Sequence, residues 1–188
     1  MDSGRKTPIL KFFTPIAQGG LRIMKNLDAR YLITHGDREE GINPIHTAKG
    51  REQILRLEIP GDVTQLVAGT GSRFQEIANI IYSKGGDYHC LSSPFCGGVE
   101  GIRMATEPEK PNMILTASGF EIPEDQYLGL RNTIGFNPWA FVEGQGAGTL
   151  FCAGGELLLA LGFEGRPPKG ALFVLDVEIK TVTLLQQG

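Results

Sequence analysis

Cysteine is scarce in this chain of 188 residues; Cys90, Cys96 and Cys152 are the only three. An odd count without close pairing excludes a disulfide framework and reads as free thiols in a reducing, cytoplasmic compartment. His89 is the only histidine beside Cys90 and Cys96, a poor ligand set for zinc, so no metal is expected. No run is long and apolar enough to cross a bilayer, so no membrane is expected either. A surplus of positive charge is also missing. Eighteen Lys and Arg stand against 21 Asp and Glu, giving a net charge of -3 and a pI near 5.7. That balance argues against nucleic acid or an anionic membrane surface as a partner. The N-terminus has Arg5 and Lys6 but no sustained apolar core after them, and Pro8 and Pro15 interrupt the patch from Ile9 to Phe13. It does not read as a secretion signal. Residues 1–25 read as an extension and residues 26–188 as one α/β domain. Internal repeats and low-complexity segments are absent.

What the chain has is an alternation. Tyr31 to Thr34 is a short apolar run that reads as a buried strand. Thr47 is a good N-cap for a helix reaching about Ile59. Gln65 to Ala68 reads as a second strand, followed by a turn and a helix reaching about Tyr82. Such alternation argues for parallel strands with right-handed crossovers. Further on, Tyr88 to Leu91 and Met113 to Thr116 are short strand candidates. Pro123 to Arg131 reads as a helix opening on a proline, and Trp139 to Val142 as helical. Thr149 to Cys152 is a buried-strand run broken by Gly154-Gly155, with a helix from Glu156 to Leu161. Ala171 to Val177 and Thr181 to Leu185 read as a closing pair of strands.

The chemistry gathers at the end of the first strand, in Thr34-His35-Gly36-Asp37-Arg38. Gly36 allows a sharp turn there. His35 then sits at the carboxyl end of a strand, the edge where open α/β sheets usually hold ligands. An imidazole beside a guanidinium suits phosphate, because the planar cation grips phosphate oxygens in a bidentate way. Two more segments follow in order: Thr47, Gly50 and Gln53 in His46-Thr47-Ala48-Lys49-Gly50-Arg51-Glu52-Gln53, then Arg73 and Ala78 in Ser72-Arg73-Phe74-Gln75-Glu76-Ile77-Ala78. Together they resemble the histidine phosphatase superfamily, in which Arg-His-Gly, Thr-x-x-Gly-x-x-Gln and Arg-x-x-Gln-Thr-Ala occur in this order.

The resemblance implies a phosphoglycerate-mutase-like fold, a three-layer α/β/α sandwich with a mainly parallel sheet. The strands at Tyr31, Gln65 and Thr149 would be central neighbours whose carboxyl ends meet at one cleft. It also implies that one histidine takes the phosphoryl group, that a second histidine and two arginines surround it, and that a carboxylic acid protonates the leaving oxygen. Carried over, His35 matches the nucleophile and Arg73 a phosphate-binding arginine. The arginine that normally precedes the nucleophile is Thr34 here, and Arg38 could restore that charge from three residues beyond His35. The second histidine matches Ala153 and the acid matches Ser93, so both are substituted. Serine is far too weak an acid to replace a carboxyl group.

Other residues read more plainly. His46 and His89 read as ordinary loop or helix-start residues. Glu39, Glu40, Glu52 and Glu58 read as a solvated face, and Trp139 as core or pocket wall. Gly69-Thr70-Gly71 has the start of a dinucleotide fingerprint, but Phe74 stands at the third glycine position, so no cofactor is expected. The resulting expectation is a histidine-phosphatase-like protein that hydrolyses phosphate esters through phosphohistidine at His35 if active, with impaired catalysis. The alternative is a non-enzymatic relative. The partner would be a phosphorylated small molecule or a phosphoprotein, and self-association is compatible with either.

Overall fold

The computed structural model describes residues 28–41, 43–97 and 137–188, and the backbone of three short strands at 102–103, 113–115 and 121–123. The expected boundary between extension and domain at residue 25 lies outside the described residues. Strand β1 (Arg30–Thr34) leads to helix α1 (Ala48–Arg56), β2 (Gln65–Ala68), α2 (Ser72–Ser83) and β3 (His89–Ser92). A 3₁₀ turn, Pro94–Cys96, follows. The short strands are β4 (Ile102–Arg103), β5 (Met113–Leu115) and β6 (Glu121–Pro123). The chain then runs through α3 (Pro138–Gly144), β7 (Thr149–Ala153), α4 (Gly155–Ala160), β8 (Ala171–Asp176) and β9 (Thr181–Gln187).

Six strands form the main sheet in the order β3-β2-β7-β1-β8-β9. The pairs β2–β3, β2–β7 and β1–β7 are parallel, whereas β8 and β9 join antiparallel at one side. The strands from Arg30, Gln65 and Thr149 are therefore the expected neighbours, with β7 between the other two. Because all three run the same way, Gly36, Gly69 and Gly154 emerge at one edge of the sheet.

Alternation along the strands sorts side chains to two faces. Tyr31, Ile33, Leu66, Ala68, Leu150 and Cys152 pack with Ile54 of α1 and Phe74, Ile77 and Ile81 of α2. Leu32, Val67, Phe151 and Ala153 pack on the other face with Val142 of α3 and Leu157 and Leu158 of α4. Helices thus cover both faces, and the sandwich has three layers. The strands read as continuous apolar runs because both faces are buried. No helix among the described residues is long and apolar enough to cross a membrane.

Two expected helices differ. α1 ends at Arg56, because Leu57 turns to an extended backbone ahead of Pro60. The helix expected from Pro123 begins on a residue that instead ends β6, which pairs with β5. The rest of that segment lies outside the described residues. All three cysteines are free thiols. Burial pushes Cys96 up to about 12 and Cys152 well up as well, so neither is a reactive thiolate near neutral pH.

Candidate active site

The His-Gly turn after β1 is fixed by a row of residues on α1. Thr47 caps the helix by accepting from the Gly50 backbone N–H at 3.0 Å. Its own N–H donates to the Asp37 carbonyl at 3.1 Å. One turn further, Gln53 Oε1 accepts from the Asp37 N–H at 2.8 Å. Spacing of three places Thr47, Gly50 and Gln53 on one helix face. Between the two hydrogen bonds the backbones touch, and a Cβ on Gly50 would lie 1.8 Å from the Asp37 carbonyl oxygen. Backbone cannot yield there as a flexible side chain would. Gly50→Ala should therefore cost about 3 kcal/mol, read from urea unfolding midpoints. A change within about 0.5 kcal/mol, typical of a surface substitution, would show that the turn is not held by this contact.

Inside that frame His35 is half-buried. Its backbone carbonyl accepts from Gly170 N–H at 2.9 Å. Its ring Nδ1 lies 2.8 Å from the Gly36 carbonyl oxygen. A carbonyl only accepts, so Nδ1 carries the proton and Nε2 keeps the lone pair. Burial pulls the ring down to about 4, helped by the charges of Arg73 and Arg38 and opposed by the Gly36 bond. The imidazole is thus neutral near pH 7, with Nε2 available as a nucleophile.

Arg73 stands in the first turn of α2, half-buried, with its guanidinium carbon 4.2 Å from the centre of the Phe74 ring. The same ring meets His35 edge-on at 6.2 Å between centres, so one phenyl group carries both. Burial, then the Arg38 charge, brings Arg73 down to about 10, which leaves it cationic at neutral pH. Its Nε is buried without a hydrogen-bond partner among the described residues. Arg38 is exposed on the loop beyond His35, close enough for its charge to act on both His35 and Arg73. Lys169 pairs with Asp37 at 2.7 Å at the rim.

Residues at the substituted positions are occupied elsewhere. The Thr34 hydroxyl donates to the Pro168 carbonyl at 2.6 Å and accepts from Ala171 N–H at 3.1 Å, anchoring the strap before β8. Ala153 ends β7 opposite Thr34 and is fully buried in the second core. Ser93 caps the 3₁₀ turn, its Oγ accepting from Phe95 N–H at 3.3 Å. Gly69 also has a packing role, since a Cβ there would lie 2.2 Å from the Gly97 carbonyl oxygen and 2.6 Å from Phe74.

One residue matters more than its sequence context suggests. His46 is at a helix start, as expected, but it is fully buried. Its Nδ1 and its backbone N–H both bond Glu76 Oε2, at 2.8 and 2.7 Å. Arg51 Nε holds the other Glu76 oxygen at 2.6 Å. The His46 ring centre is 6.5 Å from that of His35. Burial lowers the His46 pKa against the pull of Glu76. His89, by contrast, is exposed at the end of the sheet.

These two depressed histidines fix a pH response. Between their folded and unfolded values the unfolded chain binds more protons, so stability rises with pH there and falls as pH drops from about 6.5 toward 4. Urea midpoints at pH 7 and pH 5 should show the lower stability at pH 5, with a smaller difference in His35→Ala. Equal midpoints for the unaltered chain would contradict a neutral, buried His35.

No family model matches the chain, and no curated protein matches it in sequence. Solved structures do match in fold. The crystal structure of TTHB049 from Thermus thermophilus aligns with a TM-score of 0.51 and 18% identity, over 85% of this chain and 98% of that one. A phosphoglycerate mutase from the same organism aligns at 0.50 and 18%, over 85% and 97%. The chain has the phosphoglycerate-mutase-like fold. A candidate alpha-ribazole-5'-P phosphatase from Escherichia coli shares this fold at a TM-score of 0.52 and 15% identity, over 86% and 96% of the two chains. At these identities the likeness is one of fold. The phosphoglycerate-mutase-like fold accounts for the sheet order and for the common edge at which His35 and Arg73 meet.

Proposed function

We propose that this edge is a phosphoryl site in which His35 Nε2 is the nucleophile and Arg73 and Arg38 bind the phosphate. The observation that carries this reading is the state of His35. It is a neutral imidazole with Nδ1 spent on the Gly36 carbonyl, beside an arginine whose buried Nε has no partner among the described residues. In the proposed reaction the Nε2 lone pair attacks phosphorus in line with the ester oxygen. The ester P–O bond breaks and the leaving oxygen departs with that bond's electron pair. Water then attacks the phosphohistidine and releases inorganic phosphate, returning the lone pair to Nε2. The arginines stabilise charge on the equatorial oxygens.

The acid half of the reaction is poorly equipped. Ser93 is a capping residue and Ala153 a buried methyl. Catalysis is accordingly impaired for esters that need a proton on the leaving oxygen. The same two observations favour the second reading, a site that binds a phosphorylated small molecule or phosphoprotein without turning it over.

Rapid-quench labelling separates the two. With an aryl phosphate bearing labelled phosphorus, a turnover site should give an acid-labile, base-stable adduct on His35. Saturable phosphate binding without any adduct would support the binding-only reading. Neither binding nor adduct would overturn both.

A further inference from the structure

His46 is a buried titratable group beside His35 that the proposed reaction leaves unused. Its Nδ1 is committed to Glu76, so Nε2 is on the opposite side of the ring. That Nε2 is buried and has no hydrogen-bond partner among the described residues. Buried polar atoms are nearly always paired, so an orphan of this kind asks for a ligand. Arg73 Nε, whose charge acts on the His46 ring, is a second such orphan. Arg38 and His46 also form an antiparallel bridge, and Glu39 N–H donates to the Ile45 carbonyl at 3.0 Å. The loop that carries Arg38 is thereby tied to His46.

We propose that His46, clamped on Glu76, is a second imidazole of this site, whose Nε2 contacts the same tetrahedral oxyanion as His35 and Arg73. This rests on the phosphoryl-site reading. The separation suits the role, because rings 6.5 Å apart can share one oxyanion through hydrogen bonds of about 2.8 Å on different oxygens. Nε2 is closed to solvent in the free protein, so an anion must open a path to it on binding. In the free protein Nε2 has a lone pair, since Nδ1 bears the proton. When a dianion binds, Nε2 takes up one proton from the buffered solution and shares it with an anion oxygen as a charge-assisted hydrogen bond. His46 makes and breaks no bond to phosphorus.

The charged and titratable groups acting on His46 are consistent with that step. Glu76 on α2 favours the protonated ring, whereas Arg51 on α1 and Arg73 on α2 oppose it. The His35 ring lies with its centre 6.5 Å away, tilted by 47°. Before binding, burial and the arginines hold the ring neutral. A dianion on Arg73 reverses the local balance, and an opposite charge within a few ångströms raises such a group by about one to three pH units. Arg51 has a supporting part, fixing the Glu76 oxygen that His46 does not use.

The full chain holds only three histidines, so their ring nitrogens can be followed individually by ¹⁵N NMR. Sodium sulfate is the probe, because it presents a tetrahedral dianion with no proton of its own to exchange near neutral pH. On saturation the His46 protonation midpoint should rise by about one to three pH units. His46→Asn, which keeps a donor toward Glu76 and removes Nε2, should weaken sulfate about tenfold to a hundredfold. Sulfate binding that needs Arg73 but leaves both the His46 midpoint and the His46→Asn affinity unchanged would overturn this proposal alone. Absence of any Arg73-dependent sulfate binding would overturn the phosphoryl site together with it. Should His46→Asn fail to fold, the titration of the unaltered protein still decides.

Discussion

With His35 replaced by alanine, hydrolysis of an aryl phosphate should fall by about 10⁴-fold or more, and the phosphoryl label should disappear. No other described group near the turn can take over. Asp37 is paired with Lys169, and His46 is clamped on Glu76 at 2.8 Å with its ring centre 6.5 Å from that of His35. The proposed nucleophile depends on three fixed features: the Gly36 carbonyl on Nδ1, the Gly170 bond on the backbone, and the row of Thr47, Gly50 and Gln53 behind the turn. Methyl at position 35 loses the Nδ1 bond but leaves the other two supports, both on backbone, intact, so the variant should fold. Its stability should also depend less on pH between about 6.5 and 4. Full turnover in this variant would remove His35 from the reaction while leaving the fold untouched.

The second large effect is a division between substrates. An activated aryl leaving group departs as a stable anion, whereas an alkyl or sugar oxygen needs a proton as the P–O bond breaks. Loss of a general acid costs about 10²–10⁴-fold where that proton matters. Ser93 Oγ is occupied in capping the 3₁₀ turn and is a poor acid in any case. Steady-state kinetics on the two classes should therefore show alkyl phosphates slower than aryl phosphates by about that factor, beyond their intrinsic difference. Alkyl turnover near about 10 s⁻¹, an ordinary enzymatic rate, would mean that another residue supplies the proton. Ala153→His is not expected to rescue it. The methyl is fully buried against Leu32, Val67 and Phe151, and a ring there overpacks the core at a cost of about 1–3 kcal/mol.

The parts of this arrangement that are legible in sequence are those written in local pattern. Apolar runs ending in glycine mark β1, β2 and β7, because a strand buried on both faces has nothing but apolar residues to show. Thr47, Gly50 and Gln53 are legible as a spaced row, although their work is not. They hold the backbone of Asp37, and an interaction with backbone leaves no trace in the partner's side chain. Thr34 looks in sequence like a missing arginine. In the fold it is an anchor for Pro168 and Ala171, more than 130 positions further along.

His46 shows the same limit more sharply. Thirty residues separate it from Glu76, and no periodicity connects them. Only the packing of α1 against α2 brings Arg51, Glu76 and His46 together. A histidine beside a helix cap looks solvated in sequence, and here the Arg38–His46 bridge draws it inside. The end of α1 at Arg56 and the strand at Pro123 escape the sequence for a related reason. Pairing with β5 decides the conformation at Pro123, and a proline that suits a helix start is equally at home at the end of a short strand.

The proposed chemistry stands or falls on what His35 Nε2 and Arg73 hold. Vanadate, which takes up a fifth ligand as phosphorus does during transfer, probes this directly in crystals of the full chain. The expected result is vanadium bonded to His35 Nε2, with an oxygen within hydrogen-bonding distance of Arg73 Nε. Vanadate bound away from both residues, or no vanadate at the carboxyl edge of β1 under saturating conditions, would contradict it.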